Sequence, residues 1–309
     1  MNRVTQERSV LVVGSVALDG IETPYGRRER VLGGSAVYAS CAARRFAKTA
    51  PVGVVGDDFP DEHLRFLESQ GIALTGLYRK PGKTFHWSGS YTGGMGKART
   101  LDTQLGVFQD FSPDIPADLR SCRYVLLGNI HPSLQIRVLD QMESPEVVGA
   151  DTMNFWIEGE PELLREVVRR VRVMFINEAE IRSFTGESNL IAAADSLLEM
   201  GPQIVVLKRG EHGTSVHQVG GEIVFVPAYP STEVVDPTGA GDALAGGFLG
   251  YLASRGDLSP GALQEAAIRG TVAASCAIED FGPFRLASVS DAEIEARVDR
   301  INRMLGRSG

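Results

Sequence analysis

The residues with the clearest chemical potential lie in one stretch, 234–248, reading Val-Val-Asp-Pro-Thr-Gly-Ala-Gly-Asp-Ala-Leu-Ala-Gly-Gly-Phe. Val234 and Val235 are β-branched and end a strand, and Pro237 with Gly239 and Gly241 forces a tight turn. Leu244, Phe248, Leu249 and Leu252 then recur at helical spacing, which predicts a helix starting near Gly241 or Asp242. The free N–H groups of its first turn, with the positive end of the helix dipole, make an anion site. Asp242 stands at the mouth of that site. A carboxylate there can take a proton from a hydroxyl while the amides of Gly239, Ala240 and Gly241 hold phosphate charge. An aspartate that merely caps the helix has the same look in sequence, so both readings stand at this point.

Two further groups could serve such chemistry. The apolar run 171–176 leads into Asn177-Glu178-Ala179-Glu180, and residues three apart at a helix start face the same side. That pair suits the hydration shell of Mg²⁺, an ion that keeps several waters and needs few protein carboxylates. The same pair is also a capping box. The run 204–208 is a buried strand ending in Lys208, and the turn Arg209-Gly210-Glu211-His212-Gly213 follows it. His212 reads as a solvent-facing turn residue.

Asp-Pro-Thr-Gly-Ala-Gly-Asp followed by Ala-Leu-Ala-Gly-Gly-Phe closely resembles the C-terminal signature of the ribokinase-like (PfkB) family of carbohydrate and nucleoside kinases. Weaker blocks resemble the family in the same order along nearly the whole chain. Asp19 matches the aspartate that holds sugar hydroxyls, and Gly33-Gly34 the N-terminal glycine pair, which lets substrate lie close to the backbone. Residues 51–58 resemble a Val-Gly-x-Asp-x-x-Gly block, with Asp61 where the last glycine would stand. Asn154 falls near the family's Asp-x-Asn, one residue further on. Asn177 and Glu180 match Asn-x-x-Glu, and Lys208, Gly210 and Gly213 the strand and turn beside the nucleotide. Tyr38 is a departure, standing where many sugar kinases of the family carry asparagine.

The resemblance implies an α/β fold: a three-layer sandwich around a mostly parallel sheet, carrying a small β-sheet lid. Residues 1–309 would form one kinase domain, with lid segments at about 15–32 and 83–111. It also implies ATP as phosphoryl donor, Mg²⁺ on its phosphates and a monovalent cation nearby. Asp242 would be the general base, with Asp19, Gly33, Gly34 and Asn154 on the acceptor. Asn177, Lys208, Gly210, Gly213 and Thr238 would serve the nucleotide, and Glu180 the metal. The acceptor reads first as a small sugar or polyol. A nucleoside or cyclitol is the alternative, kept alive by Tyr38 and the aromatics Trp87 and Tyr91, and a non-catalytic ligand-binding member is a third. A homodimer through the lid follows from the same resemblance.

Composition sets the outer bounds. An apolar fraction of 43% describes a globular chain with ample core, and a net charge of −8 points to neither nucleic acid nor membrane. Cys41, Cys122 and Cys276 lie far apart, as reduced thiols do, and the five histidines have no zinc-site spacing. The short polar stretch 1–8 is not expected to act as a signal peptide, and no apolar run approaches the roughly 18 residues of a membrane span. A cytoplasmic enzyme is expected.

The elements that must position these residues alternate as strand and helix. The buried strand 9–14 lacks the Gly-x-Gly-x-x-Gly of a dinucleotide-binding turn, and Gly82-Lys83-Thr84 is no phosphate loop, since Leu77 replaces the required glycine. Residues 20–31 read as a solvated turn or hairpin. The stretches 85–91 and 98–108, joined through a glycine turn at 93–96, read as a hairpin with few core contacts of its own. Helices are expected at about 32–46, 60–69, 260–278 and 290–305. In the family the loop after 260–278 walls the adenine pocket.

Overall fold

The computed structural model describes residues 9–92, 95–96 and 98–307. The polar start at 1–8 and the glycines at 93–94 of the expected hairpin turn lie outside these residues. The strands are β1 (Ser9–Val13), β2 (Ala17–Thr23), β3 (Gly26–Gly33), β4 (Lys48–Val55), β5 (Gly76–Arg79), β6 (His86–Ser90) and β7 (Arg99–Gln104). They continue with β8 (Tyr124–Leu127), β9 (Val147–Asp151), β10 (Val173–Asn177), β11 (Ile204–Lys208), β12 (Thr214–Gln218) and β13 (Ile223–Val226). The helices are α1 (Ser35–Ala43), α2 (Asp61–Ser69), α3 (Pro132–Leu139), α4 (Asn154–Gly159), α5 (Pro161–Arg170) and α6 (Glu178–Thr185). After these come α7 (Leu190–Glu199), α8 (Ala240–Arg255), α9 (Pro260–Ala277), α10 (Phe284–Ser288) and α11 (Asp291–Met304).

A nine-stranded sheet runs in the order β13-β12-β11-β10-β9-β8-β1-β4-β5. It is parallel from β11 to β5, and β12 and β13 close one edge by antiparallel pairing. Such a sheet is buried on both faces, so its strands read as continuous apolar runs. Along β1 the pleat sends Val10 and Val12 into the core beneath α1, α8 and α9, while Leu11 and Val13 join α3, α5 and α7 on the other side. The expected three-layer α/β sandwich is the architecture found.

A separate sheet of four strands, in the order β3-β2-β6-β7, stands beside it. Its two halves are antiparallel hairpins, and β2 runs parallel to β6 where they join. The solvated reading of 20–31 holds for β3 but not for β2. Along β2 every residue except Glu22 is buried, because β6 covers it on one edge and a small apolar cluster of Ile21, Tyr91 and Phe281 packs against it.

Position in the site is transmitted by the packing of α1 on α8. A Cβ added to Gly246 would lie 2.2 Å from the Ala39 carbonyl, so glycine is what lets these helices touch backbone to backbone. All three cysteines are buried and none is in a disulfide. Among the described residues no helix is long and apolar enough to cross a membrane.

Candidate active site

The C-terminal ends of β9, β10 and β11 and the start of α8 converge on one place, where open parallel sheets bind their ligands. The helix starts one to two residues earlier than its apolar spacing suggested. Gly239, with φ +76°, is the N-cap, and α8 begins at Ala240. Asp242 is therefore the third helical residue and not the cap, which removes the plain capping reading. Gly239 is held to glycine twice over: its φ is left-handed, and an added Cβ would lie 2.2 Å from the Tyr38 ring. Asp242 is half-buried. Burial, then the nearby charge of Asp151, pushes its carboxyl up to about 7 against the pull of Lys208.

On the sheet side of Asp242, Lys208 ends β11 and Asp151 ends β9. The Lys208 ammonium donates to both Asp151 oxygens, at 2.6 Å each. Burial works against its charge, yet Asp151, Glu180 and Asp242 hold the ammonium above the ordinary lysine range. Asn177 caps α6: its side chain accepts the Glu180 amide at 2.9 Å, and Glu180 Oε2 accepts the Asn177 amide at 2.8 Å. The capping box is thus complete. The Glu180 carboxylate is also buried and faces Lys208, and burial raises its proton affinity.

On the other side, Asp19 lies buried in β2, and the amides of Gly34 and Trp87 face its carboxylate. Burial, with Asp236 and Asp242 nearby, pushes it up to about 8. At Gly33 and Gly34 the space a side chain would fill is taken by the protein itself. An added Cβ would lie 1.9 Å from Asp19 Oδ2 at Gly33 and 2.4 Å from the Ser15 carbonyl at Gly34. Tyr38 is buried among Asp236, Asp19, Tyr91 and Asp242, and its hydroxyl has no hydrogen-bond partner.

Thr238 joins the turn to both neighbours. Its amide donates to Asp236 Oδ1 at 2.9 Å, and its hydroxyl pairs with that of Tyr91, beyond β6, at 3.1 Å. Gly210 and Gly213 flank a short 3₁₀ turn with φ of +54° and +87°, and His212 is exposed there as expected. An added Cβ on Gly213 would meet the Val226 carbonyl at 2.1 Å. Asn154 opens the short helix α4 with its Oδ1 buried and unpartnered, and no described contact ties it to Asp242 or Lys208.

Two residues of the cluster, Asp151 and Asp236, were read from sequence only as members of motifs, Asp151 as the acid of the stretch likened to Asp-x-Asn, and the pairing of Asp151 with Lys208 was not foreseen. The available signal was charge: an acid ending the apolar run 147–150 and a lysine ending the run 204–207, each at a strand end in a parallel sheet.

Comparison with known proteins agrees with this geometry. Residues 7–286 match the pfkB family carbohydrate kinase description. The chain is 36% identical over 256 residues to a cytidine kinase of Thermococcus kodakarensis, covering 80% of this chain and 89% of that one. It is 27% identical over 278 residues to a nucleoside kinase of Methanothermobacter thermautotrophicus, covering 80% and 83%. The fold is shared with a nucleoside kinase of Burkholderia thailandensis in complex with inosine, at TM-score 0.77 and 21% identity over 94% and 98% of the chains. It is shared equally with a putative ribokinase II of E. coli in complex with ATP and Mg²⁺, at TM-score 0.77 and 21% identity over 94% and 99%. With the signature turn opening α8, the strand ends beneath it and the family match over nearly its whole length, this chain belongs to the PfkB family of carbohydrate kinases, phosphotransferases that act on a hydroxyl group.

Proposed function

We propose that the protein is an ATP-dependent nucleoside kinase. The free sugar or polyol put first from sequence gives way to the alternative, because the 36%-identical relative is a cytidine kinase and a second is a nucleoside kinase. The observation that carries the chemistry is Asp242 in the first turn of α8, behind the left-handed Gly239.

In this reading Asp242 takes the proton of the acceptor hydroxyl as its oxygen attacks the γ-phosphorus. The bond from that phosphorus to the β-phosphate oxygen breaks, and ADP leaves. A carboxylate whose proton affinity lies near neutrality is a stronger base than an ordinary aspartate and is still ionised in a useful fraction. The amides of Gly239, Gly241 and Asp242 face the charge that develops on the transferred group, whereas the Ala240 amide, expected to join them, donates to the Pro237 carbonyl at 3.3 Å. Lys208 supplies an ammonium beneath the turn, and Asp19 holds acceptor hydroxyls. Gly210, Gly213 and Thr238 border the nucleotide. The small sheet, through Trp87 and Tyr91, covers the acceptor.

Mg²⁺ neutralises the triphosphate when bound. The donor set fits an ion held chiefly by phosphate and water: among the described residues no three His, Cys, Asp or Glu side chains converge to hold a metal directly. Glu180 gives one oxygen to the capping box, and with Asn177 it would orient metal-bound water through the other. A monovalent cation would suit Asp236, whose buried Oδ2 has no hydrogen-bond partner although the Gly282 amide faces the carboxylate.

A phosphotransfer assay with ATP and cytidine, uridine, adenosine, inosine, ribose and myo-inositol tests the reading. Turnover with a nucleoside, at a kcat/KM well above that of ribose or inositol, is the expected result. Turnover with a free sugar or inositol alone would return the acceptor to the first sequence reading. Binding without turnover would select the non-catalytic member.

A further inference from the structure

Lys208 and Asp151 are separated by a whole strand. They end β11 and β9, with β10 between, and the ammonium reaches across to take both carboxylate oxygens. Both side chains are withdrawn from water, at 16% and 5% exposure. The lysine stem passes directly beneath α8: a Cβ added to Gly241 would lie 3.3 Å from Lys208 Nζ and 3.5 Å from its Cδ. As a stability device such a pair is poor, since removing two charges from water offsets most of their attraction. As a way to hold a flexible ammonium at one point it is effective, because a lysine has four rotatable carbons and no fork of its own.

We infer that Asp151 is a positioning residue for phosphoryl transfer, fixing the Lys208 ammonium under Gly241 where it faces both the transferred group and the Asp242 carboxylate. The inference rests on the kinase reading above. It adds that the paired charges act on the base in opposite directions. The groups facing Asp242 are Asp151 and Lys208 from the sheet, Asp19 from β2 and Tyr38 from α1. Glu180 faces Lys208 from α6, and Asp236 acts on Asp19 and Tyr38. Of these charges, Asp151 raises the proton affinity of Asp242 most after burial itself, and Lys208 lowers it. Removing Asp151 must therefore let the base ionise at lower pH, and removing Lys208 must delay it to higher pH.

The test is the pH profile of kcat/KM, with a nucleoside and ATP, for wild type, Asp151→Asn, Lys208→Met and the double variant. Lys208→Met is expected to lose about 10²-fold in kcat, as for one stabilising donor, with its acidic limb moved to higher pH. Asp151→Asn should lose less, keep its KM for ATP, and carry the limb to lower pH. The double variant should return the limb toward wild type without recovering kcat. A merely structural pair would lower the melting temperature of both single variants and leave the limbs in place, which overturns the inference. If Asp151→Asn does not fold, the direction of the Lys208→Met limb decides alone. Wild-type protein that turns over no acceptor overturns the kinase reading and this inference with it, whereas turnover with unmoved limbs overturns this inference only.

Discussion

The two flanks of Asp242 are built on opposite principles. Toward the large sheet, Lys208 and Asp151 answer each other at 2.6 Å, and Asn177 and Glu180 close their own box. Toward α1 and the small sheet, the groups acting on Asp19 and Tyr38 are other acids and a phenol. There burial raises the proton affinity of Asp19 and Asp236, and the Tyr38 hydroxyl has no partner. A flank whose charges are paired within the chain is a fixed frame. A flank that retains protons and unmet hydrogen-bonding capacity suits a ligand bearing several hydroxyls, because buried polar groups without partners are costly until something satisfies them. On the kinase reading proposed above, the first flank would take phosphate and the second the acceptor.

Removing the group between the flanks should have the largest effect. Asp242→Asn is expected to lower kcat by about 10²–10⁴ and to leave affinity for an ATP analogue intact. Gly239 and not Asp242 is the N-cap, so the helix start survives the change. Steady-state kinetics with a calorimetric titration measure both, and a variant that keeps more than about a tenth of wild-type turnover is not missing its base. In the wild type, activity needs the carboxylate form. With its carboxyl near 7, kcat/KM should fall as pH drops below about 7, and the Asn variant should lose that limb.

Much of this was readable in the residues. The parallel strands announced themselves because burial on two faces makes them unbroken apolar runs, as in Val10–Val13 and Tyr124–Leu127. The turn before α8 was readable because glycine, proline and an acid are compressed into seven residues. The Lys208–Asp151 pair was not, since 57 residues separate its members and only the sheet order brings them together. Register along β2 was hidden for another reason. Its neighbour β3 carries the charged run of Arg27 to Arg30 on an exposed face, and that polarity masked a buried strand with a buried acid. Asn177 and Glu180 remain legible both ways, because a capping box and a carboxylate facing Lys208 are the same two side chains.

A smaller effect distinguishes the flanks by stability. Asp19 has its proton affinity raised in the folded chain, to about 8 from an ordinary 3.8. Its contribution is complete below the unfolded value and is lost as pH rises through the folded one, since the native state then gives up a proton it holds tightly. The ligand-free protein should therefore lose melting temperature between about pH 5 and 8. Asp19→Asn, neutral throughout, should lose less over that window while its acceptor KM rises. Parallel curves for the two proteins would mean that Asp19 releases no proton in this window.

The small sheet should give the mildest effects, and they sharpen the assignment of the acceptor flank. A lone hairpin is marginal in water, so β6 and β7 must lean on something. They lean on β2 along one edge, on the cluster of Ile21, Tyr91 and Phe281, and on the Tyr91–Thr238 bond of 3.1 Å. Trp87 is only partly buried against that cluster, and β7 is exposed along its whole length. Few contacts hold β6 and β7, so their local opening should be easy and ligand-sensitive. If it covers the acceptor, hydrogen exchange in 86–92 and 98–104 should slow when nucleoside binds, and more than when an ATP analogue binds alone. Trp87→Ala should weaken acceptor binding by ~0.5–1.5 kcal/mol, the range of one aromatic contact, with nucleotide affinity unchanged. Tyr91→Phe removes the bond to the turn of Gly239, and a loss of about 1 kcal/mol is expected to fall on kcat as well as on acceptor KM, because that bond reaches the catalytic turn itself. Equal protection by either ligand, together with wild-type acceptor KM in both variants, would leave the sheet a scaffold and place the acceptor elsewhere.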